Sequence, residues 1–74
     1  MSPDDVQAAL ETENPLRLYL ADGHEHDILD PKTVLVGETS IVVGVYDAGQ
    51  RFPRWRMFAL KNIVSIRPLT PAEI

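Results

Sequence analysis

Residues 16–29 read LRLYLADGHEHDIL, and this stretch decides the fold. Leu16, Leu18 and Leu20 alternate with other residues, which is the period-two pattern of a strand with one buried face. The Asp-Gly pair at 22–23 then suits a tight hairpin turn. The stretch therefore predicts a strand that turns back on itself in a small β-rich protein.

Upstream of this strand, the chain predicts a short amphipathic helix. Ser2 is a good N-cap, Pro3 suits the first helical position, and acidic residues follow in the first turn. Apolar residues recur at the i, i+3 and i+4 positions from Val6 onward. We expect a helix over about residues 3–12 that lies across an open end of the sheet.

Downstream, short apolar runs alternate with turn residues. An interrupted strand is expected around Ile28 and Val34–Val36, because Asp30-Pro31 breaks the run. SIVVGVY at 40–46 is the strongest strand signal, and Gly44 within it indicates a bulge or a close backbone approach. Two more strands are expected over about 55–60 and 63–67.

Five short strands with short links predict a strongly bent antiparallel sheet that closes into a small barrel. We therefore expect one domain over residues 1–74, mainly β, with its barrel at about 16–69. The predicted core consists of Leu16, Leu18, Leu20, Ile28, Val34, Ile41, Val43, Val45, Met57, Ala59, Ile63 and Ile66.

Composition narrows the classes of function. The net charge of −4 argues against binding nucleic acid by general phosphate neutralisation. The charge is unevenly distributed: residues 1–30 hold eight acids and one base, and residues 31–74 hold three acids and six bases. The chain has no cysteine, its N-terminus is acidic, and no apolar run approaches the ~18 residues of a membrane span. We expect a cytoplasmic protein without a cofactor or membrane contact. A chain of 74 residues has a thin core, so self-association is expected.

The order of elements resembles the small SH3-like barrels, and within them the Sm-like type. The resemblance rests on Leu18, Leu20 and the Asp-Gly turn at 22–23, and on LKNIVSI at 60–66. The patterns LADG, DPKTV and LKNIVSIRPL also resemble a set of short bacterial proteins of no known activity. The resemblance implies a five-stranded barrel that assembles through its strand edges.

The chain departs from the Sm-like RNA binders at the positions whose side chains bind RNA bases in those proteins. Those proteins carry Asp and Asn after their second strand and an Arg-Gly or Lys-His motif between their last two strands. The corresponding stretches here read DPKTVLVGE and LKNI. The resemblance therefore implies the scaffold and not the RNA contacts.

The segment RFPRWR at 51–56 is the candidate binding surface, with Arg51, Phe52, Arg54, Trp55 and Arg56 as its residues. Arginines interleaved with aromatic rings can seat a partner's carboxylates or stack on bases. Alternatively, the rings cover one end of the barrel while the arginines balance the acidic N-terminal half. The side of the sheet on which Trp55 lies is left open, because a bulge would invert it.

His24 and His26 are weak metal candidates, because on a strand two residues at i and i+2 share a face. The alternative is a solvated stretch after a turn.

The chain offers no nucleophile with a base placed by a known motif, so we predict no catalytic residue. The sequence thus favours a non-enzymatic, self-associating protein-binding module. The alternative is an Sm-like RNA-binding ring that uses Arg51, Arg54, Trp55 and Arg56.

Overall fold

A computed structural model describes residues 1–46, 48–49 and 51–73. Within them it has one α-helix and six β-strands: α1 (Pro3–Glu11), β1 (Leu16–Leu20), β2 (Glu25–Ile28), β3 (Val34–Val36), β4 (Ser40–Val45), β5 (Arg54–Ala59) and β6 (Ile63–Pro68). Single 3-10 turns lie at Pro31–Thr33, Leu60–Asn62 and Pro71–Glu73. No helix in the described part of the chain is long and apolar enough to cross a membrane.

The predicted helix is confirmed, and its ends follow from local chemistry. The Ser2 hydroxyl accepts a hydrogen bond from the Asp5 amide (3.2 Å), and the Asp5 carboxylate accepts one from the Ser2 amide (3.3 Å). This reciprocal pair is a capping box. Glu13 terminates the helix in the left-handed region, with a φ of 59°. The helix contacts β3 and β6, so it connects the two sheets.

The strands form two antiparallel sheets of three strands each. The first sheet has the order β2-β1-β6 and the second has the order β3-β4-β5. The predicted hairpin at the Asp-Gly pair is confirmed, since β1 pairs with β2 and Gly23 has a φ of 91°. The Asp22 side chain closes the turn by accepting from the His24 amide (2.9 Å).

The expected five-stranded closed barrel differs from the observed architecture. The described strands number six, because the Asp30-Pro31 turn divides the interrupted strand into β2 and β3. Pro31 has no backbone N–H to donate to a neighbouring strand. The Lys32 amide donates to the Asp30 carboxylate (3.0 Å) and not to a neighbouring strand. Among the described residues, the two sheets do not close into one barrel.

Both sheets contribute their inner faces to one core. Most of the predicted core residues are buried there or packed against it, but Met57 is 71% exposed and that prediction is wrong. The neighbouring residue Phe58 is 8% exposed and takes the inner position of β5. Ala59 is half-buried and lies on the opposite side of β5 from Phe58, so it is also not a core residue. The core additionally contains Val6, Leu10, Leu60 and Leu69, which lie outside the strands.

The register of β4 against β5 sets which residues face the core. Ile41 is opposite Phe58, and Gly44 is opposite Trp55, with continuous pairing over the whole of β4. The bulge considered at Gly44 is therefore not observed, and the close approach is. Because side chains alternate along a strand, Trp55 and Met57 point away from Phe58 and away from the core.

Candidate interaction surface

The outer face of the second sheet carries no charged residue among the strand positions that the structure describes. Its members share the outward parity of β3, β4 and β5, which we call the apolar face: Leu35, Ser40, Val42, Gly44, Trp55, Met57 and Ala59. Leu35, Val42 and Met57 form one cross-strand row. Leu35 is 64% exposed and Trp55 is 57% exposed, so large apolar side chains meet solvent here. A contiguous exposed apolar patch is a mark of an interaction site.

Trp55 lies against the backbone of Gly44 in the neighbouring strand. A Cβ atom at residue 44 would lie 3.2 Å from Cζ3 and 3.4 Å from Cη2 of the indole, and 3.5 Å from Cβ of Pro53. The missing side chain of Gly44 therefore leaves the space that the indole ring occupies. The indole buries Gly44 while remaining more than half exposed itself.

The outer face of the first sheet has the opposite character. Its members form the charged face: Arg17, Tyr19, Glu25, Asp27, Ser65 and Arg67. Arg17 Nε donates to the Asp27 carboxylate (2.7 Å), and Arg67 Nε donates to the Tyr19 hydroxyl (2.6 Å). These bonds join polar side chains of all three strands across the charged face.

The C-terminal turn covers part of the charged face through Glu73. One Glu73 carboxylate oxygen accepts from Arg17 (2.8 Å) and from Arg67 (2.8 Å). The other accepts from the Thr70 amide (3.1 Å) and the Thr70 hydroxyl (3.0 Å). The bonds from Arg67, foremost, and from Thr70 lower the pKa of Glu73 to about 2. The two outer faces thus differ: one is charged and partly covered, and the other is uncharged and open.

The five residues of the predicted binding segment do not form a single surface. Trp55 lies on the apolar face, whereas Arg54 and Arg56 have the opposite parity on β5. The Arg56 guanidinium lies 5.6 Å from the centre of the Phe58 ring. Arg51 and Phe52 precede the strand, with the Arg51 guanidinium 6.0 Å from the Phe52 ring centre. Phe52 and Trp55 are both exposed, so neither covers the core.

His24 and His26 are not side by side. His24 precedes β2, its side chain is 80% exposed, and its Nδ1 lies 3.0 Å from an Asp22 carboxylate oxygen. His26 points inward, opposite Leu18, and its ring centre is 5.0 Å from that of Phe58. Its Nε2 atom is buried without a hydrogen-bond partner. In the described part of the chain, no three His, Cys, Asp or Glu side chains group to hold a metal ion.

A cleft of about 540 Å³ borders the apolar face between β5 and the β1–β2 turn. Phe58 and Met57 supply apolar lining, and Arg56, Asp22 and Asn62 supply polar groups. Met57 belongs to both the cleft and the apolar face. A segment that docks on the apolar face near β5 would therefore also meet the mouth of this cleft.

Prediction from the sequence misses the apolar face as a surface. It places Met57 and Ala59 in the core and Trp55 in the binding segment, and it assigns Leu35 and Val42 to no side of the sheet. A signal was present. Val34–Val36 and the IVV run at 41–43 place apolar residues on both sides of an antiparallel strand, and such a run indicates two apolar faces. No protein-family model, curated protein or solved structure significantly matches this chain.

Proposed function

We propose that this chain is a non-enzymatic interaction module that binds protein and associates with itself. The proposal keeps the cytoplasmic location expected from the sequence, and it assigns no catalytic residue and no cofactor. The observation that carries it is the contrast between the two outer faces. The charged face is partnered within the chain, while the apolar face presents large side chains to solvent.

The energetics of the apolar face favour a protein partner. Covering apolar surface stabilises a complex by roughly 25 cal/mol for each Å² removed from water. Trp and Met are enriched at the centres of protein interfaces, and Trp55 and Met57 both lie on this face. An uncharged surface offers no comparable attraction for a phosphate backbone.

The order of the strands supports an SH3/Sm-like scaffold for the module. β2 and β3 follow one another through a single 3-10 turn, and β5 and β6 are joined by the 3-10 turn Leu60–Asn62. β5 and β6 each lie at the edge of a sheet. If β2 and β3 are counted as one bent strand, they join the two sheets into the single bent sheet that the resemblance implies. The edge strands would then be available for pairing with another chain.

The alternative function is RNA binding by an Sm-like ring, and one observation favours it. Phe52 is 76% exposed, and Trp55 is exposed as well, within the segment 51–56 that holds three arginines. Exposed rings with nearby cations stack on single-stranded bases. The division of these residues between two sides of β5 weighs against a single base-stacking surface.

Light scattering on untagged protein at two salt concentrations, with absorbance at 260 and 280 nm on the same peak, tests the proposal. We expect a species free of nucleic acid that self-associates. Affinity capture with the tagged chain should recover protein partners. A variant that carries Arg54→Glu and Arg56→Glu tests the RNA alternative, because it reverses the charge of two arginines that this alternative uses. If nucleic acid co-purifies with the wild-type chain, is removed by high salt and is absent from this variant, the proposed function is wrong.

A further inference from the structure

We propose that the partner of the apolar face is a second copy of this chain, which packs its own apolar face against the first around a two-fold axis. This inference rests on the proposed function and names its partner. It yields a symmetric dimer in which the two β3-β4-β5 sheets lie face to face.

The distribution of charge favours a second copy. A partner that presented charged groups to this face would bury them without a counter-charge, because the described strand positions of the face offer none. The complementary surface must therefore be uncharged and broad. The chain itself supplies such a surface, while its other outer sheet face is lined by Arg17, Glu25, Asp27 and Arg67.

The cross-strand row makes the apolar face self-complementary. Val42 lies on the central strand, with Leu35 on one side and Met57 on the other. A two-fold axis parallel to β4 that passes above Val42 places each Leu35 opposite Met57 of the partner subunit. Leu and Met have similar volumes, so the two contacts fill the interface evenly on both sides of the axis.

The area of the face is sufficient for a weak dimer. A large aromatic side chain offers about 150–250 Å² when fully buried, and Trp55, Met57 and Leu35 are each more than half exposed. With the smaller residues, two faces would bury roughly 1,000 Å² in total, which is near the lower limit for a specific interface. We therefore expect a dimer that dissociates on dilution.

The first experiment is sedimentation equilibrium of the full chain over a wide concentration range, with Met57→Lys as the test variant. Two lysines would be buried in each dimer, and dimerisation should weaken by about tenfold or more. Val64→Lys is the matched control. Val64 is 66% exposed on β6, outside the apolar face, so the same change of charge should leave dimerisation unaltered.

A charge-swap pair tests the direction of the axis. Leu35→Glu alone and Met57→Lys alone should each be monomeric at concentrations where the wild type is dimeric. An equimolar mixture of the two should form a heterodimer, because Glu at 35 then meets Lys at 57 of the partner subunit. The second contact in that heterodimer stays Met57 against Leu35. A mixture that remains monomeric overturns the proposed axis.

Because the chain has no cysteine, a single introduced thiol gives an unambiguous proximity test. Opposed sheets pack about 10 Å apart, so a short bismaleimide should link two copies of Val42→Cys. Ser65→Cys, on the outer face of the first sheet, should not be linked at the same concentration.

The outcomes separate this inference from the proposed function. A dimer that Met57→Lys does not weaken overturns the second-copy inference and leaves the proposed function standing. A monomer that captures a different protein overturns the second-copy inference and the self-association in the proposed function, and leaves only the protein-binding part standing. A wild-type chain that is monomeric at every concentration and carries nucleic acid overturns both.

Discussion

Trp55 and Gly44 face one another across the β4–β5 pair, and the indole ring occupies the space that a side chain at residue 44 would need. An added Cβ would be 3.2 Å from Cζ3 of the ring, which is closer than ordinary van der Waals contact. The ring is more than half exposed, so it has room to move outward. Gly44 therefore sets how flat Trp55 lies on the apolar face.

We expect Gly44→Ala to lift the indole from the sheet. Trp55 is the only tryptophan, so its emission reports this change directly and should shift to longer wavelength. In a Trp55→Ala background the same change should be neutral or stabilising by up to about 1 kcal/mol, because alanine is favoured over glycine within a strand. Equal effects of Gly44→Ala on the free energy of unfolding in both backgrounds would contradict the contact.

Adjacent residues of β5 should respond very differently to truncation. Phe58→Ala removes a core ring and should destabilise the fold by about 3–5 kcal/mol, whereas Met57→Ala should change stability by less than about 0.5 kcal/mol. Urea unfolding of dilute protein measures both. If Phe58→Ala fails to fold, Phe58→Leu gives a smaller loss of the same sign. A larger loss from Met57→Ala than from Phe58→Leu would mean that β5 faces the other way.

Stability should fall on mild acidification because of His26. Burial lowers the pKa of His26 below its usual 6.5, the nearby Arg56 guanidinium lowers it further, and Asp27 opposes the shift. The unfolded chain then takes up the proton more readily, so stability is lost as the pH falls through 6.5. Urea midpoints at pH 7.5 and 5.5 should differ for the wild type and differ less for His26→Leu. His24→Gln is the control and should keep the wild-type difference.

The stabilisation of the fold by the Glu73 carboxylate should be lost in a separate and more acidic pH range than the His26 effect. Its pKa is lowered from 4.5 to about 2, so its contribution is present above pH 4.5 and is lost as the pH falls toward 2. Glu73→Gln should lower the thermal midpoint at pH 7. Acidification from pH 7 to pH 3 should then lower the midpoint of this variant less than it lowers the midpoint of the wild type. Glu11→Gln removes an exposed helical carboxylate and serves as the control. If Glu73→Gln has the same thermal midpoint at pH 7 as the wild type, the C-terminal turn is held by other contacts.

Local signals in the sequence were sufficient for the helix, the first hairpin and most of the core. Ser2 and Pro3 determine the start of α1 through hydrogen bonds within one turn, and the alternation of Leu16, Leu18 and Leu20 determines the buried face of β1. In each case the residues that decide the structure are close together in the chain. The physical information is therefore contained in the local sequence.

The orientation of β5 was decided only by the tertiary structure. RWRMFA has large apolar side chains on both parities, Trp55 and Met57 on one and Phe58 on the other, so either face could be buried. Pairing of Phe58 with Ile41 selects the face, and a shift of one residue would invert every side chain. The apolar face depends on that register. The sequence alone determined the helix, the first hairpin and the apolar runs that form strands, and the long-range pairing of β4 with β5 decided which side chains remain exposed for a partner.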